Sequence, residues 1–470
     1  MIDDALRLLW VVAAPAGLGV LCLRALGVRA AQDRLGYAAW LWPLGCLCLA
    51  AALWLLLALD VPPSLWWLAP PLAAAPLLPA AWRGAPHPRP LPVPLPWSRF
   101  GQLVFAALVL LGLWLAVYLA VAAAGTPCVF GDEGNLWSMK AKALYVDWPL
   151  GAFREGQRAQ SHPDYPLLNP LLQAWVYSQF GAVELFLNRV PIQLCTVSLW
   201  LATCAAVRRL LPPWLGALLL VPLLLDAEFR SACSTAYADG MLALGLVLAL
   251  DGWLRCRALP PGAPAAAPMR ALLVLGLAFA LWSKNEGALY VAAAIGAAVL
   301  TARLPRAPWW PGAVWLWPCA VVAAQWTWNR WFGFTSDLLG GPPSPGVGWP
   351  RLFAAQWQTH APRVLQAGID LLFSPASAAG VLLVPLPALL LRTVRQEPRL
   401  RAPALALLLS VLGLHLVYVG TWIDLDLHLR TSHARVVGQL VPAAIVWLAA
   451  VVAALRAPAP GAALSGRPTA

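Results

Sequence analysis

Uncharged apolar runs of about 20 residues recur along the whole chain, and this feature limits its fold more than any other. A run of that length spans the hydrocarbon core of a bilayer as an α-helix. Hydrophobic residues make up 61% of the 470 residues, whereas charged residues make up only 11%. The sequence therefore predicts an all-α polytopic membrane protein.

About 13 segments have this character, and we expect them to form one bundle of transmembrane helices. The segment 66–82 is the weakest of them, because four prolines interrupt it, and a re-entrant or interfacial piece fits it equally well. The first span has no basic n-region or cleavage site before it, so we expect it to stay uncleaved. The predicted spans are 5–27, 36–59, 66–82, 100–124, 186–207, 213–230, 237–254, 270–283, 287–302, 311–330, 372–391, 402–422 and 437–455.

The net charge of +12 is distributed unevenly over the loops between these spans. With this span order, 19 arginines fall on one side of the membrane, together with Asp33, Asp251 and Glu397 as its only acids. Loops rich in Lys and Arg stay cytoplasmic. The charge therefore indicates topology and not nucleic-acid binding. It places the N-terminus and the loop 125–185 outside, in the manner of a bacterial cytoplasmic (inner) membrane protein.

The longest polar passage, 130–170, lies within that outward loop. It brackets Asp132 and Glu133 with glycines, and a basic helical patch with Lys140 and Lys142 follows. A loop that serves only solvation would be polar too. Its charges, however, are interleaved with aromatic residues, so we favour a functional loop that carries short helices.

Three later outward turns are also polar. Asp239 opens one span, Lys284 and Glu286 lie between two apolar segments, and Arg435 follows a polar stretch at 424–430. Charges at membrane depth are costly and are functional by default. Polar residues alternate with leucines over 424–430, so an extended strand would place the polar groups on one face.

Together these motifs resemble the polytopic glycosyltransferases of the GT-C fold, in particular the bacterial dolichyl-phosphate-mannose and aminoarabinose transferase-like group. The resemblance implies a polyprenyl-phosphate-linked sugar as donor and a lipid, glycan or protein acceptor at the outer face. The motifs, in order, are Gly-Asp-Glu at 131–133, Trp-x-x-Lys-Ala-Lys at 137–142, His-Pro-Asp-Tyr-Pro at 162–166, Tyr-Ala-Asp at 237–239, Lys-Asn-Glu-Gly at 284–287 and Thr-Ser-x-x-Arg at 431–435.

The resemblance covers residues 100–456, which we expect to form a GT-C-like transmembrane catalytic unit. Residues 1–83 depart from the usual arrangement, in which the catalytic loop follows the first span, and are expected to be additional transmembrane helices. A Pro-rich cytoplasmic linker is predicted at 84–99. A disordered cytoplasmic tail is predicted at 457–470.

Sugar transfer from a phosphate needs a base for the acceptor hydroxyl. The resemblance places the catalytic acidic residue at Asp132. Glu133 is expected to orient Asp132, to bind the acceptor, or to make the ionisation of Asp132 less favourable through its like charge. Negative charge that develops on the phosphate needs fixed cations, and the candidates are Lys140, Lys142, Lys284 and Arg435.

Each of these cations also fits a purely structural role. Residues two apart on a helix point about 200° apart, so Lys140 and Lys142 cannot both face the site, and the other one fits a contact with lipid headgroups. Lys284 and Glu286 fit a structural ion pair equally well. Arg435 also suits a headgroup anchor at the end of its span.

His162, Asp164 and Tyr165 are candidates for sugar binding. Their neighbouring prolines favour an extended backbone, and the residue types suit hydroxyl groups and stacking. A proline-rich loop folded on its own aromatics is the alternative. Asp239 either helps to hold the sugar or caps its helix.

No cofactor is assigned, although a divalent metal is possible. His162, Asp164, Asp424, Asp426, His428 and His433 are suitable ligand types, but their spacing matches no tight metal motif. The nine cysteines form no C-x-x-C pair, and Cys128 and Cys233 could pair on the outer side.

Two other functions are compatible with the sequence. A secondary transporter or flippase would use the buried charges as a substrate site, and it predicts matching interrupted helices in two repeats. A polymerase or ligase of surface glycans would rest on a large late outward loop, but the loop at 331–370 carries few charges. The expected partners are the lipid-linked donor, the acceptor and membrane lipids, with no nucleic acid.

Overall fold

The computed structural model describes residues 2–30, 33–83, 98–129, 131–147, 162–260, 263, 265–301, 316–334, 349–421 and 423–456. Within these ranges the regular elements are helices and no strand forms. Most of the Pro-rich linker, at 84–97, and the tail at 457–470 lie outside the described residues, as does the part of the polar loop at 148–161.

The longer helices are named in chain order. They are α1 (Ile2–Ala25), α2 (Arg34–Ala58), α3 (Arg99–Ala123), α4 (Met139–Val146), α5 (Leu168–Phe180), α6 (Val190–Leu210), α7 (Pro213–Leu225), α8 (Ala227–Ser234), α9 (Asp239–Ala258), α10 (Ala266–Ser283), α11 (Glu286–Thr301), α12 (Leu316–Phe332), α13 (Trp349–Leu372), α14 (Pro398–Val419) and the composite α15 (Leu425–Arg456).

In the described part of the chain, seven helices are long and apolar enough to cross a membrane, namely α1, α2, α3, α6, α10, α14 and α15. The pair α8 and α9, bent by 113° at a short break, makes an eighth if it counts as one span. Shorter apolar helices occupy Pro213–Leu225, Glu286–Thr301 and Ala378–Ala388. The all-α membrane architecture is thus confirmed, and the count of 13 spans stays a prediction.

Two of the predicted spans are not continuous helices. Residues 66–82 fall into three short pieces, Pro63–Leu68, Ala69–Ala74 and Leu78–Arg83. Residues 372–391 contain Ala378–Leu383 and Pro385–Ala388. Prolines recur in both segments, and proline removes a backbone donor and clashes with the preceding turn. Hydrophobicity alone therefore overestimated helix continuity here.

Two polar stretches near the end of the chain are helical. At 424–430, Leu425–His428 and the π-helical turn Leu429–His433 continue into the last span. The loop between the predicted spans 311–330 and 372–391 contains most of the 24-residue helix α13. In both places the backbone satisfies its hydrogen bonds within a helix.

Helix α9 is central to the bundle and packs closely on α10. A Cβ atom added at Gly245 would lie 2.7 Å from the backbone nitrogen of Ala280, and one at Gly276 would lie 2.6 Å from that of Ala249. Small residues let membrane helices approach until their backbones touch. This contact fixes α9, which carries charged residues at both of its ends.

A buried ionic network occupies the C-terminal end of α9. Asp251 and Arg255 on α9 join Arg209 on α6 and Asp33 before α2, and each carboxylate contacts both arginines. Arg255 lies 2.9 Å from an oxygen of each acid. The network therefore ties three parts of the chain together at this end.

The outer surface of the bundle is strongly apolar. Only 22% of the apolar window of α3 is buried inside the protein, and Leu103, Leu110, Trp114 and Val121 are exposed along it. Such a surface is compatible with hydrocarbon and not with water. It supports a membrane-embedded position for this helix.

Candidate functional site

Arg435 lies where three separate segments meet. Its Nη2 donates to a carboxylate oxygen of Asp132, and its Nε is 3.6 Å from Oδ2 of Asp239. The guanidinium lies over the ring of Tyr237, 4.5 Å from the centroid. The fold thus brings together residues that are about 300 positions apart in sequence.

The two carboxylates that contact Arg435 differ in burial. The Asp132 side chain is 50% exposed, whereas that of Asp239 is 10% exposed and that of Arg435 is 15% exposed. Asp132 is therefore the one acid of this group that a dissolved molecule can reach freely. Arg435 itself is held mostly inside the protein.

Two glycines position the backbone around Asp132. Gly131 has a φ of +57°, and a Cβ atom there would lie 3.0 Å from the hydroxyl oxygen of Tyr237. A Cβ atom at Gly134 would lie 2.2 Å from the carbonyl carbon of Val129. Glycine suits both a left-handed conformation and such a close backbone approach. The bracketing glycines seen in the sequence thus have a structural reason.

Lys284 is buried and paired with two acids. Its Nζ lies 3.1 Å from Oδ1 of Asp239 and 2.8 Å from Oε1 of Glu286. This geometry matches the structural ion pair that the sequence left open. Asp239 is not the helix cap that its position suggested, because Ala238 takes the cap position and the carboxylate binds cations instead.

Gln439 completes the surroundings of Asp239. Its side-chain amide donates to Oδ1 of Asp239, and its Oε1 accepts a hydrogen bond of 3.0 Å from the hydroxyl of Tyr290. The sequence analysis missed Gln439. Its position four residues after Arg435, on the same helical face, was the signal that could have indicated it.

Glu133 points away from Asp132 into the protein. Its Oε1 lies 2.6 Å from Nη2 of Arg189 and accepts a hydrogen bond from the thiol of Cys128. Burial and the hydrogen bond to Glu133 raise the pKa of Cys128 to about 12. Cys128 is therefore a neutral thiol, and neither it nor Cys233 is in a disulfide.

The two lysines of α4 have different surroundings, as their spacing predicts. Lys140 is fully buried and donates to the backbone carbonyl of His162, with its Nζ 5.5 Å from the ring centroid of Tyr165. Lys142 is exposed. Lys140 therefore supports the loop at 162–165, while Lys142 faces outward from the helix.

Residues 162–165 form a tight turn, so the predicted extended backbone is wrong. His162 has a φ of 51°, and its carbonyl accepts from the Tyr165 amide at 3.1 Å. The rings of His162 and Tyr165 stack with centroids 4.7 Å apart, and Trp137 lies against Tyr165 at 5.6 Å. The left-handed residue before Pro163 reverses the chain and folds it on its own aromatics.

Asp164 connects this turn to the charged group around Lys284. Its Oδ2 accepts a 2.7 Å hydrogen bond from Asn285, the residue between Lys284 and Glu286. Its backbone carbonyl accepts from Asn329 on α12 at 3.0 Å. The sequence did not assign either asparagine to the site, because nothing local indicates these long-range contacts.

A narrow cleft lies beside Arg435. One part of its wall is polar and the other is apolar. The polar wall contains Asp226, Glu228, Asp239, Arg435 and Gln439, and the apolar wall contains Leu199, Leu223, Phe229 and Pro442.

No metal site is found among the residues that the structure describes, since no three His, Cys, Asp or Glu side chains lie close enough together. The candidate ligands are dispersed. Asp426 pairs with Arg363 on α13, and Nδ1 of His428 lies 3.1 Å from the hydroxyl of Thr421.

No family model, curated protein or solved structure matches this chain. The chemistry of the site follows from its geometry alone. The guanidinium of Arg435 is mostly buried and contacts the half-exposed carboxylate of Asp132. Such a pair can bind an anion next to a proton acceptor. That pairing is useful in reactions that release an anionic leaving group.

Proposed function

We propose that the protein is a glycosyltransferase that moves a sugar from a polyprenyl-phosphate-linked donor to an acceptor at the extracytoplasmic face of a bacterial cytoplasmic membrane. The observation that carries the proposal is the direct contact between Asp132 and Arg435 at one end of the bundle. In this proposal Asp132 accepts the proton of the acceptor hydroxyl, and Arg435 binds the leaving phosphate. A GT-C-like arrangement of the helices belongs to the same proposal.

In this reaction the acceptor hydroxyl attacks the anomeric carbon while Asp132 accepts its proton. The bond between that carbon and the phosphate oxygen breaks, and the lipid phosphate leaves with the electron pair. Arg435 balances the charge on the phosphate, and a planar guanidinium fits phosphate oxygens in a bidentate manner. A single displacement inverts the configuration of the sugar.

The remaining residues have supporting roles in this proposal. Asp239 holds Arg435 from the buried side. Gln439 and Lys284 hold Asp239, and Glu286 pairs with Lys284. In the turn with His162, Asp164 and Tyr165, only His162 is partly exposed and able to contact a sugar, whereas Asp164, Tyr165 and Lys140 are buried behind it. Lys142, the exposed lysine of α4, suits a second phosphate or lipid headgroup contact, and Glu133 anchors the loop through Arg189.

The orientation follows from the distribution of charge. The end of α9 that carries Asp251 and Arg255 belongs to the arginine-rich side of the chain, which the positive-inside rule assigns to the cytoplasm. Asp132 and Arg435 then face outward. A lipid-linked donor would reach them from the membrane, past apolar surfaces such as that of α3.

A secondary transporter or flippase is the second candidate, and one observation favours it. Lys284 is only 5% exposed and lies between Asp239 and Glu286, and buried ion pairs of this kind also occur on transport pathways. In a transporter these groups would bind the substrate itself. Transfer chemistry would then be absent.

The deciding experiment is transfer of radiolabelled sugar from a panel of polyprenyl-phosphate donors by the full-length protein in lipid nanodiscs. Asp132→Asn should lower the transfer rate by at least about a hundredfold, the typical effect of losing a general base. Asp426→Asn is the matched control, since Asp426 is also about half exposed and paired with an arginine. Its rate should stay near that of the wild type.

Two results would redirect the assignment. Labelling that survives Asp132→Asn would move the base to another carboxylate, with Glu133 tested first. Folded protein that transfers no sugar from any donor would reject the glycosyltransferase proposal. Uptake of the same lipids by proteoliposomes would then test the transporter.

A further inference from the structure

The contacts of Arg435 are of two kinds. Those behind it are buried, because Tyr237 lies under the guanidinium and Asp239 is held by Lys284 and Gln439. The contact with Asp132 is different, since that carboxylate is 50% exposed and lies at the start of a helical segment. The buried contacts fix Arg435 in place, and the Asp132 contact is the one that can exchange.

The Nε side of the Arg435 guanidinium faces Asp239, and Nη2 donates to Asp132. A phosphate group that binds to the two terminal nitrogens in a bidentate manner would share Nη2 with Asp132 and would be repelled by that carboxylate. Bidentate phosphate binding at this edge therefore competes with the hydrogen bond of Asp132.

The exchange favours phosphate. Ion pairs exposed to water contribute little to stability, whereas a bidentate pair between arginine and phosphate is among the stronger charge-assisted interactions. Asp132 also follows Gly131, which has a positive φ, and precedes the π-helical segment Glu133–Ser138. The pair is thus open to water on the Asp132 side, whereas Arg435 is mostly buried.

We infer that a phosphate group and Asp132 compete for the same guanidinium edge of Arg435, so that phosphate binding releases Asp132 for the acceptor hydroxyl. The inference rests on the proposed function and adds an order of binding to it. The donor binds first and creates the free base. The acceptor then binds to a carboxylate that no longer has an arginine partner.

The test measures the accessibility of Asp132 directly, without sugar transfer. The purified full-length protein is treated with a water-soluble carbodiimide and an amine at fixed pH, and the labelled carboxylates are quantified by mass spectrometry. Polyprenyl monophosphate without a sugar is the probe, and inorganic phosphate is the second arm. Native mass spectrometry of the same samples reports whether the lipid phosphate is bound.

Labelling of Asp132 should rise about two- to fivefold when polyprenyl monophosphate binds, which is the range expected for loss of one exposed ion pair. A rise with the lipid alone identifies a lipid headgroup as the competitor, and a rise with both probes identifies phosphate from either source. Asp426 in its pair with Arg363 is the internal control and should not respond.

Arg435→Gln should label Asp132 strongly with and without the probe, because the competing cation is gone. If that variant does not fold, Arg435→Lys serves instead, since a lysine keeps the charge without the bidentate fit. Bound lipid phosphate with unchanged labelling of Asp132 would overturn the exchange while leaving the proposed transfer intact. Absence of lipid phosphate binding would overturn the exchange and count against the donor class as well.

Discussion

Helix α9 carries a charged group at each end, and the two groups are built differently. Asp239 and Arg255 are 16 residues apart on this helix, or about 24 Å at 1.5 Å per residue. At the Arg255 end, two acids and two arginines contact one another and all four are largely buried. A cleft lies beside each of the two groups, but at the Asp239 end one acid of the group is half exposed.

This difference separates a structural ion cluster from a site. In the Arg255 cluster, each carboxylate serves two arginines, so no charge is left for another molecule. In the Asp239 group, the burial decreases from Lys284 through Asp239 and Arg435 to Asp132. This gradient of burial holds the Arg435 guanidinium on its buried side and leaves its contact with Asp132 accessible to a ligand.

The largest expected effect is on stability at the Arg255 end. Asp251→Asn would leave Arg209 and Arg255 with Asp33 as their one carboxylate partner in the cluster. Removal of one partner from a buried ion pair typically costs about 3–5 kcal/mol. We expect a loss of that size in the free energy of unfolding, measured by denaturant titration in detergent.

Sugar transfer per folded molecule should not change in Asp251→Asn, because this residue is far from Asp132. The double variant Asp251→Asn with Arg209→Met is the matched control. It removes one charge of each sign and should recover part of the lost stability. If Asp251→Asn is as stable as the wild type, the cluster does not hold this end together.

The second prediction concerns Asp239→Asn at the other end. Arg435 would keep Asp132, and Lys284 would keep Glu286, so the stability cost should be smaller, about 1–3 kcal/mol. The same interactions position Arg435, and their loss should lower kcat/KM for transfer about tenfold to a hundredfold. A stability loss equal to that of Asp251→Asn would remove the contrast between the two ends.

The third prediction tests the neutral residue behind the site. Gln439→Leu removes a hydrogen bond to Asp239 and leaves the Tyr290 hydroxyl with one acceptor, the backbone carbonyl of Val436. We expect a cost of about 1 kcal/mol in the free energy of unfolding and a smaller drop in transfer than for Asp239→Asn.

Gln193→Leu is the control for Gln439→Leu. Gln193 is also buried, but its amide nitrogen has no hydrogen-bond partner among the described residues. Leucine at this position should be neutral or stabilising. Equal losses in the two variants would mean that Gln439 matters for packing and not for its hydrogen bonds.

The smallest effect is a pH dependence at the Arg255 end. Burial opposes ionisation of Asp33, but Arg209 and Arg255 outweigh it and hold the pKa of Asp33 below its usual range. A lowered folded-state pKa adds stability that is fully present above the unfolded-state value of about 3.9. It is lost as the pH falls through the lower folded-state value.

Melting temperatures in detergent from pH 7 down to pH 3 test this effect. The wild type should lose stability below about pH 4, and Asp33→Asn should start lower and change less over the same interval. Parallel curves for the two proteins would show that Asp33 does not contribute to the acid sensitivity.

Long apolar runs were sufficient to predict the all-α membrane architecture, because the bilayer demands apolar helices whatever their neighbours are. They were less reliable where prolines recur, at 66–82 and 372–391, since helix continuity depends on backbone hydrogen bonds that prolines remove. The alternation at 424–430 did not determine the backbone conformation, which is helical. A helix that continues into the last span satisfies its own backbone there, whereas a single strand would need a partner.

Sequence by itself determined which residues are chemically costly in a membrane, and it therefore singled out Asp132, Asp239, Lys284 and Arg435. Only the tertiary structure decided which of them touch. Contact between residues about 300 positions apart depends on helix packing, which leaves no local signal. Helix packing likewise directs Glu133 to Arg189 and pairs Lys284 with Asp239. It also brings Gln439 to Asp239, a contact that the sequence did not predict.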